Sequence, residues 1–71
     1  HHFVATIIQQ HPDLSKNEID LCMFLKINLT YKDIAQVQSI SYEGVKKAIQ
    51  RLYKKLEIQT VDDLRRYLLS I

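Results

Sequence analysis

Glycine and proline each occur once in these 71 residues, as Gly44 and Pro12. A chain with so little turn punctuation cannot supply the glycines and prolines that repeated β-hairpins or long loops need. It is restricted to helices joined by short polar connections. The hydrophobic fraction is 46% and the charged fraction 25%, the mixture of a folding chain and not of a disordered one. At this length a single small domain is expected.

Ser and Thr mark where the helices start. Ser15 is followed three residues on by Glu18, Thr30 by Asp33 and Thr60 by Asp63. The first pair reads as a capping box, and the two Asp residues favour a helix N-terminus through the dipole. Ser41 opens a fourth stretch, in which Val45, Ala48, Ile49, Leu52 and Leu56 recur at helical spacing. The pattern predicts helices near 16–28, 31–38, 42–56 and 61–69. Only Ser39, Ile40 and the Ser41 cap separate the second from the third, the length of a helix-turn-helix connection. Ordinary helical bundles use such links too.

Charge is what distinguishes the third predicted helix. Residues 42–56 hold Lys46, Lys47, Arg51, Lys54 and Lys55 against Glu43 alone, a local net charge of +4 within a chain whose total is +2. Both flanks are slightly acidic. At 100° per residue the apolar positions gather on one side, while Lys46, Lys47, Gln50, Arg51 and Lys54 fan over the other. A solvated face is the ordinary explanation of such a pattern. Here, however, few acids are interleaved for i,i+4 pairing, and the helix is the second of a helix-turn-helix. Lys and Gln can reach base edges while more distal cations sit beside phosphates.

With these residues in place, Leu14 to Leu64 resembles the C-terminal helix-turn-helix of the LuxR (GerE-like) bacterial transcription regulators. The likeness runs through Leu14-Ser15, Glu18, Leu21-Cys22, Leu25, Leu29-Thr30, Lys32-Asp33-Ile34-Ala35, Ile40-Ser41, Val45-Lys46 and Lys55-Leu56, in register and without a gap. It implies an all-α, four-helix domain over 14–71; residues 1–13, outside the likeness, read from their own composition as an apolar extension or linker, with His1-His2 as a tag remnant. It also implies sequence-specific binding of double-stranded DNA, with helix 42–56 in the major groove. By position, Lys46, Lys47 and Gln50 correspond to base-reading residues, and Lys32, Ser41, Tyr42, Gly44, Arg51, Lys54 and Lys55 to candidates for the DNA backbone. Gly44 stands where the family usually has Thr, and Ala48 where it often has His. Asn28 and Glu57 replace the glycines that usually follow the first and third helices. Asn suits a left-handed cap; Glu suits it poorly.

The implied setting is the output module of a cytoplasmic regulator, such as one in two-component signalling, with its sensor or receiver region outside these residues. RNA polymerase and a second copy on DNA are the implied protein partners. A sigma-factor-like helix-turn-helix, or a helical protein-interaction module with a basic face, remains open beside this reading. Two apolar stripes are candidates for a dimer or partner surface: Val61, Leu64 and Leu68 on the last predicted helix, and Ile19, Met23 and Ile27 on the first. The apolar stretch 3–8 is expected to cover the second stripe, within the chain or from a partner.

No enzyme, cofactor, metal or small-molecule ligand is expected. No nucleophile with a placed base, phosphate loop or metal-ligand spacing is visible, so no residue is assigned as catalytic. Cys22, the lone cysteine, lies among Leu21, Met23 and Leu25 and reads as a buried small hydrophobe. His11, just before Pro12, is expected to be exposed. No apolar run approaches the ~20 residues that cross a bilayer, so no membrane partner is expected.

Overall fold

A computed structural model describes residues 2–71, the side chain of Val61 excepted. The readings of His1 and of Val61 as a partner-surface residue fall outside the described residues. Those residues form five helices and no strand: α1 (His2–Gln10), α2 (Lys16–Lys26), α3 (Tyr31–Gln38), α4 (Tyr42–Leu56) and α5 (Val61–Leu69). The last four lie where the Ser and Thr caps place them. The Ser15 hydroxyl accepts from the Glu18 N–H, and the Glu18 carboxylate accepts from the Ser15 N–H at 2.8 Å. Thr30 and Asp33 complete a second reciprocal box despite the shorter acid, while Thr60 and Ser41 each accept from the N–H three residues on. Each cap satisfies donors that the helix itself leaves unpaired.

Three helices end on a left-handed residue or just before one. Asn28, Ser39 and Glu57 have φ of 68°, 56° and 58°. At the first of these α2 stops at Lys26, two residues short of the expected 28, because Ile27 is its C-cap and Asn28 turns the chain away. Glu57 takes up the conformation that its side chain suits poorly, and its N–H closes the end of α4 on the Tyr53 and Lys54 carbonyls. The strain, ~1–2 kcal/mol for an L-residue in this region, is outweighed by the packing that follows. Leu56 and Leu64, on either side of the turn, both lie in the core.

The extension expected before residue 14 is a fifth helix and part of the same core. Phe3 and Ile7, four apart, form one apolar face that is buried, and α1 packs on α2. α1 thus packs on the helix that carries the Ile19, Met23 and Ile27 stripe, and the stripe is only partly covered. Ile19 and Met23 are half-buried against the core, whereas Ile27 stays 63% exposed. Lys26, beside it, lies over the Phe3 ring at 4.5 Å and donates to the Leu68 carbonyl, which ties α1, α2 and α5 together.

Leu21, Leu25, Ile34, Val45, Ile49 and Leu52 form the centre of the core, with α3 packed on α4 and α2 against α4 and α5. Leu64 and Leu68 are fully buried there too. They are therefore core residues and not part of an outward dimer surface, because α5 turns that stripe onto α2. His11 departs from expectation in the same direction. It is half-buried, its Nε2 2.7 Å from the Tyr67 hydroxyl, which in turn donates to Gln10 at 3.1 Å. With the hydroxyl hydrogen directed at Gln10, His11 donates from Nε2 and fastens the end of α1 to α5. Among the described residues no helix is long and apolar enough to cross a membrane.

Candidate nucleic-acid interface

The α3–α4 connection fixes how α4 is presented. Ser39 closes α3 in the left-handed conformation, the Ile40 N–H returns to the Ala35 carbonyl at 3.0 Å, and Ser41 begins the next helix. Because α4 buries Val45, Ile49, Leu52 and Leu56, one side of the helix is committed to the core and the opposite side must face solvent. Lys47, Gln50, Arg51 and Lys54 occupy that side, all exposed, and with Tyr53 they line an open depression of about 420 Å³. Among the described residues none of these three cations forms an ion pair.

The other candidates separate around this face. Lys46 is half-buried on a flank of α4, its Nζ 5.9 Å from the centre of the Tyr42 ring. It stands one turn before Gln50 on that flank, and unlike Lys47 and Gln50 it does not line the depression. Tyr42 is 50% exposed and its ring leans on Tyr31 at 6.1 Å, so it stands at the edge of the face as a held aromatic. Lys32 is exposed on the first turn of α3.

Ser41 and Gly44 are joined to each other: the Gly44 N–H donates to Ser41 Oγ at 3.0 Å. That N–H is consequently not free for a phosphate, whereas the Ser41 hydroxyl hydrogen still is. A Cβ at Gly44 would meet Ser41 Oγ at 3.3 Å and Ile40 Cδ1 at 3.7 Å, so the close quarters of the turn, and no unusual backbone angle, favour the missing side chain.

Lys55 requires a correction. Its Nζ is 2.8 Å from Glu18 Oε1 and donates to the Asp13 carbonyl at 3.2 Å. The position that the family likeness gives to the DNA backbone is here engaged in holding α4 to the start of α2. Burial pushes the Glu18 carboxyl up, but Lys55 and the Ser15 N–H and hydroxyl outweigh it and hold the group below its ordinary value. Arg51 stands between the two regions, lining both the outer depression and a second one of about 280 Å³ with Ser15, Asn17 and Lys55.

Two features of the site were missed. Tyr53, to which the sequence pattern assigns no role, lines the outer depression, and its hydroxyl lies 3.1 Å from that of Tyr31. Burial and this hydroxyl partner push its ionisation upward, so it serves as a neutral hydrogen-bonding group. Arg65 was given no role. It reaches the Asn28 side chain and the Leu29 carbonyl, securing the left-handed end of α2. Hydrogen bonds between residues 36 and 37 apart leave no local pattern by which sequence could have shown them.

Cys22 is fully buried, and burial first, then the nearby Glu18 charge, push its thiol up to about 12. Among the described residues no group of His, Cys, Asp and Glu is arranged to hold a metal. No family model, no curated protein and no solved structure matches the chain.

Proposed function

We propose that the chain is a DNA-binding domain that inserts α4 in the major groove of a duplex, as the output module of a bacterial transcription regulator of the LuxR-like kind. One observation carries this reading. The second helix of a three-residue helix-turn-helix presents Lys47, Gln50, Arg51 and Lys54 on a single exposed face without ion-pair partners among the described residues. A merely solvated helix gains from interleaved acids at i,i+4, and this face has Glu43 alone. Lys47 and Gln50 are the base-reading candidates; Arg51, Lys54, Lys32 and the Ser41 hydroxyl are candidates for phosphate. Lys46 is placed at the groove edge beside Tyr42, and Lys55 is withdrawn from the contact set.

Ile27 and Leu69 favour a second copy of the chain as a further partner. They are 63% and 68% exposed and adjoin, in sequence, the contact of Lys26 with the Leu68 carbonyl. Pairing there would set two α4 helices on half-sites ~10 base pairs apart.

The test is a fluorescence-anisotropy titration against a randomised duplex pool at several salt concentrations, with sequencing of the bound fraction. Binding that weakens with salt and enriches one motif is expected, with the enrichment lost in Lys47→Ala/Gln50→Ala. Salt-insensitive binding, or none at high protein concentration, would refute the reading and favour a protein partner for the basic face.

A further inference from the structure

Glu43 is the one acid on α4, and it lies in the first turn, one turn before Lys47 and two before Gln50. On a helical wheel these three fall within about 60° of one another, on the side opposite Val45 and Leu52. The residue is exposed, and among the described residues its carboxylate has no ion pair and no hydrogen bond. The helix dipole gives a local reason for an acid in a first turn. Ser41, however, already caps this helix, and a reciprocal box like those of α2 and α3 would place the acid at 44, where Gly44 stands. Residue 43 is therefore not needed to close the helix end.

Resting on the DNA-binding reading above, we infer that Glu43 is a specificity-determining residue that accepts from the N4 amino group of a cytosine in the major groove. In a helix-turn-helix, the N-terminal part of the second helix meets the base edges, and a carboxylate there can accept only from exposed amino donors. Adenine also presents an amino group, but with the acceptor N7 beside it, which repels a carboxylate; guanine and thymine present acceptors at the corresponding edge. The same charge is repelled by every phosphate, so it lowers binding to any duplex that does not offer the donor. Lys47, one turn further on, prefers the O6 and N7 acceptors of a guanine. Glu43 and Lys47 together thus read a cytosine and a guanine at neighbouring positions, and the carboxylate sets the polarity of the pair.

The experiment is selection from a randomised duplex pool by the whole chain and by Glu43→Gln, followed by anisotropy titrations on the selected site and on versions altered at the cytosine. The wild type is expected to prefer cytosine at one position of each site by roughly tenfold, the scale of one good base contact. Glu43→Gln should lose that preference, bind unrelated duplexes more tightly, and retain the preference at the remaining positions. If the wild type selects a motif and Glu43→Gln selects the same motif with the same cytosine preference, the inference is overturned while the DNA-binding reading stands. A wild type that selects no motif overturns both. Circular dichroism melting of the variant separates the two roles of the side chain: a helix-end role lowers the melting temperature and leaves base preference unchanged.

Discussion

Replacing Glu18 by Gln removes one charge while keeping an oxygen that can accept from the Ser15 N–H. The capping box therefore survives, and what is lost is the ion pair with Lys55 across 2.8 Å, between the first turn of α2 and the last turn of α4. At an effective dielectric of ~20, two charges at that distance attract by ~6 kcal/mol before desolvation and side-chain ordering are subtracted. The Lys55 side chain is 37% exposed and that of Glu18 12%, so solvent screens one partner substantially. Measured pairs of this kind retain only ~0.2–1 kcal/mol. The upper part of that range is expected here, because Lys55 is also held by the Asp13 carbonyl and arrives ordered.

Near neutral pH, Glu18→Gln should thus lower stability by about 1 kcal/mol, or ~4–8 °C in Tm for a domain of this size. The pH dependence identifies the cause. Glu18 is held below its ordinary carboxyl value of 4.5, so its charge contributes fully above that value and the contribution disappears as pH falls through the lower, folded-state value. Urea melts of wild type and variant should differ at neutral pH and converge in acid once the pH is below the folded-state value, and Lys55→Gln should give a similar loss that is not additive with Glu18→Gln. A gap that stays constant from neutral to strongly acidic pH would refute the reasoning and place the effect of Glu18 in packing.

Three further outcomes are expected. Glu57→Gly relieves the left-handed strain at φ 58° but frees the unfolded chain, so a net gain of ~0.5–1 kcal/mol is expected, and a lower Tm would refute it. Cys22, buried and with its thiol raised to about 12, should resist maleimide labelling at about pH 8 until the chain is unfolded in denaturant; rapid native labelling would contradict the buried placement. If α4 meets DNA as proposed, Lys54→Gln should reduce the salt slope of log K by ~0.9 while Lys55→Gln, already paired with Glu18, leaves it unchanged. Equal effects of the two, measured by anisotropy between ~50 and ~200 mM salt, would count against the assignment.

The helix boundaries were legible because they are written locally. A Ser or Thr with an acid three residues on is a complete physical unit, and at Ser15 and Thr30 both reciprocal bonds form. The fifth helix was less legible for the opposite reason. Residues 2–10 have no acid in the first turn and no cation in the last, and their helix is defined by Phe3 and Ile7 finding α2. Composition indicated that the stretch had to be covered or covering; what it covers depended on a partner surface formed by residues far along the chain. His11 illustrates the same limit, since its role depends on Tyr67, 56 residues away.

The site shows where periodicity stops being informative. A wheel separates the core side of α4 from the cationic side, and burial follows it at Val45, Ile49, Leu52 and Leu56. It sets Lys54 opposite the core and Lys55 100° away on the flank, but it does not show that Lys55 is engaged, because that depends on what stands opposite. Lys55 faces the Glu18 carboxylate and the Asp13 carbonyl; Lys54 faces the open depression. A cation with a partner inside the domain must give up that partner before it can serve a phosphate, and the Glu18 carboxylate, 12% exposed with Lys55 in place, would lose its counter-charge. The charge available to a polyanion is therefore set by the internal ion pairs, and on α4 it resides in Lys47, Arg51 and Lys54, with Lys46 at the margin.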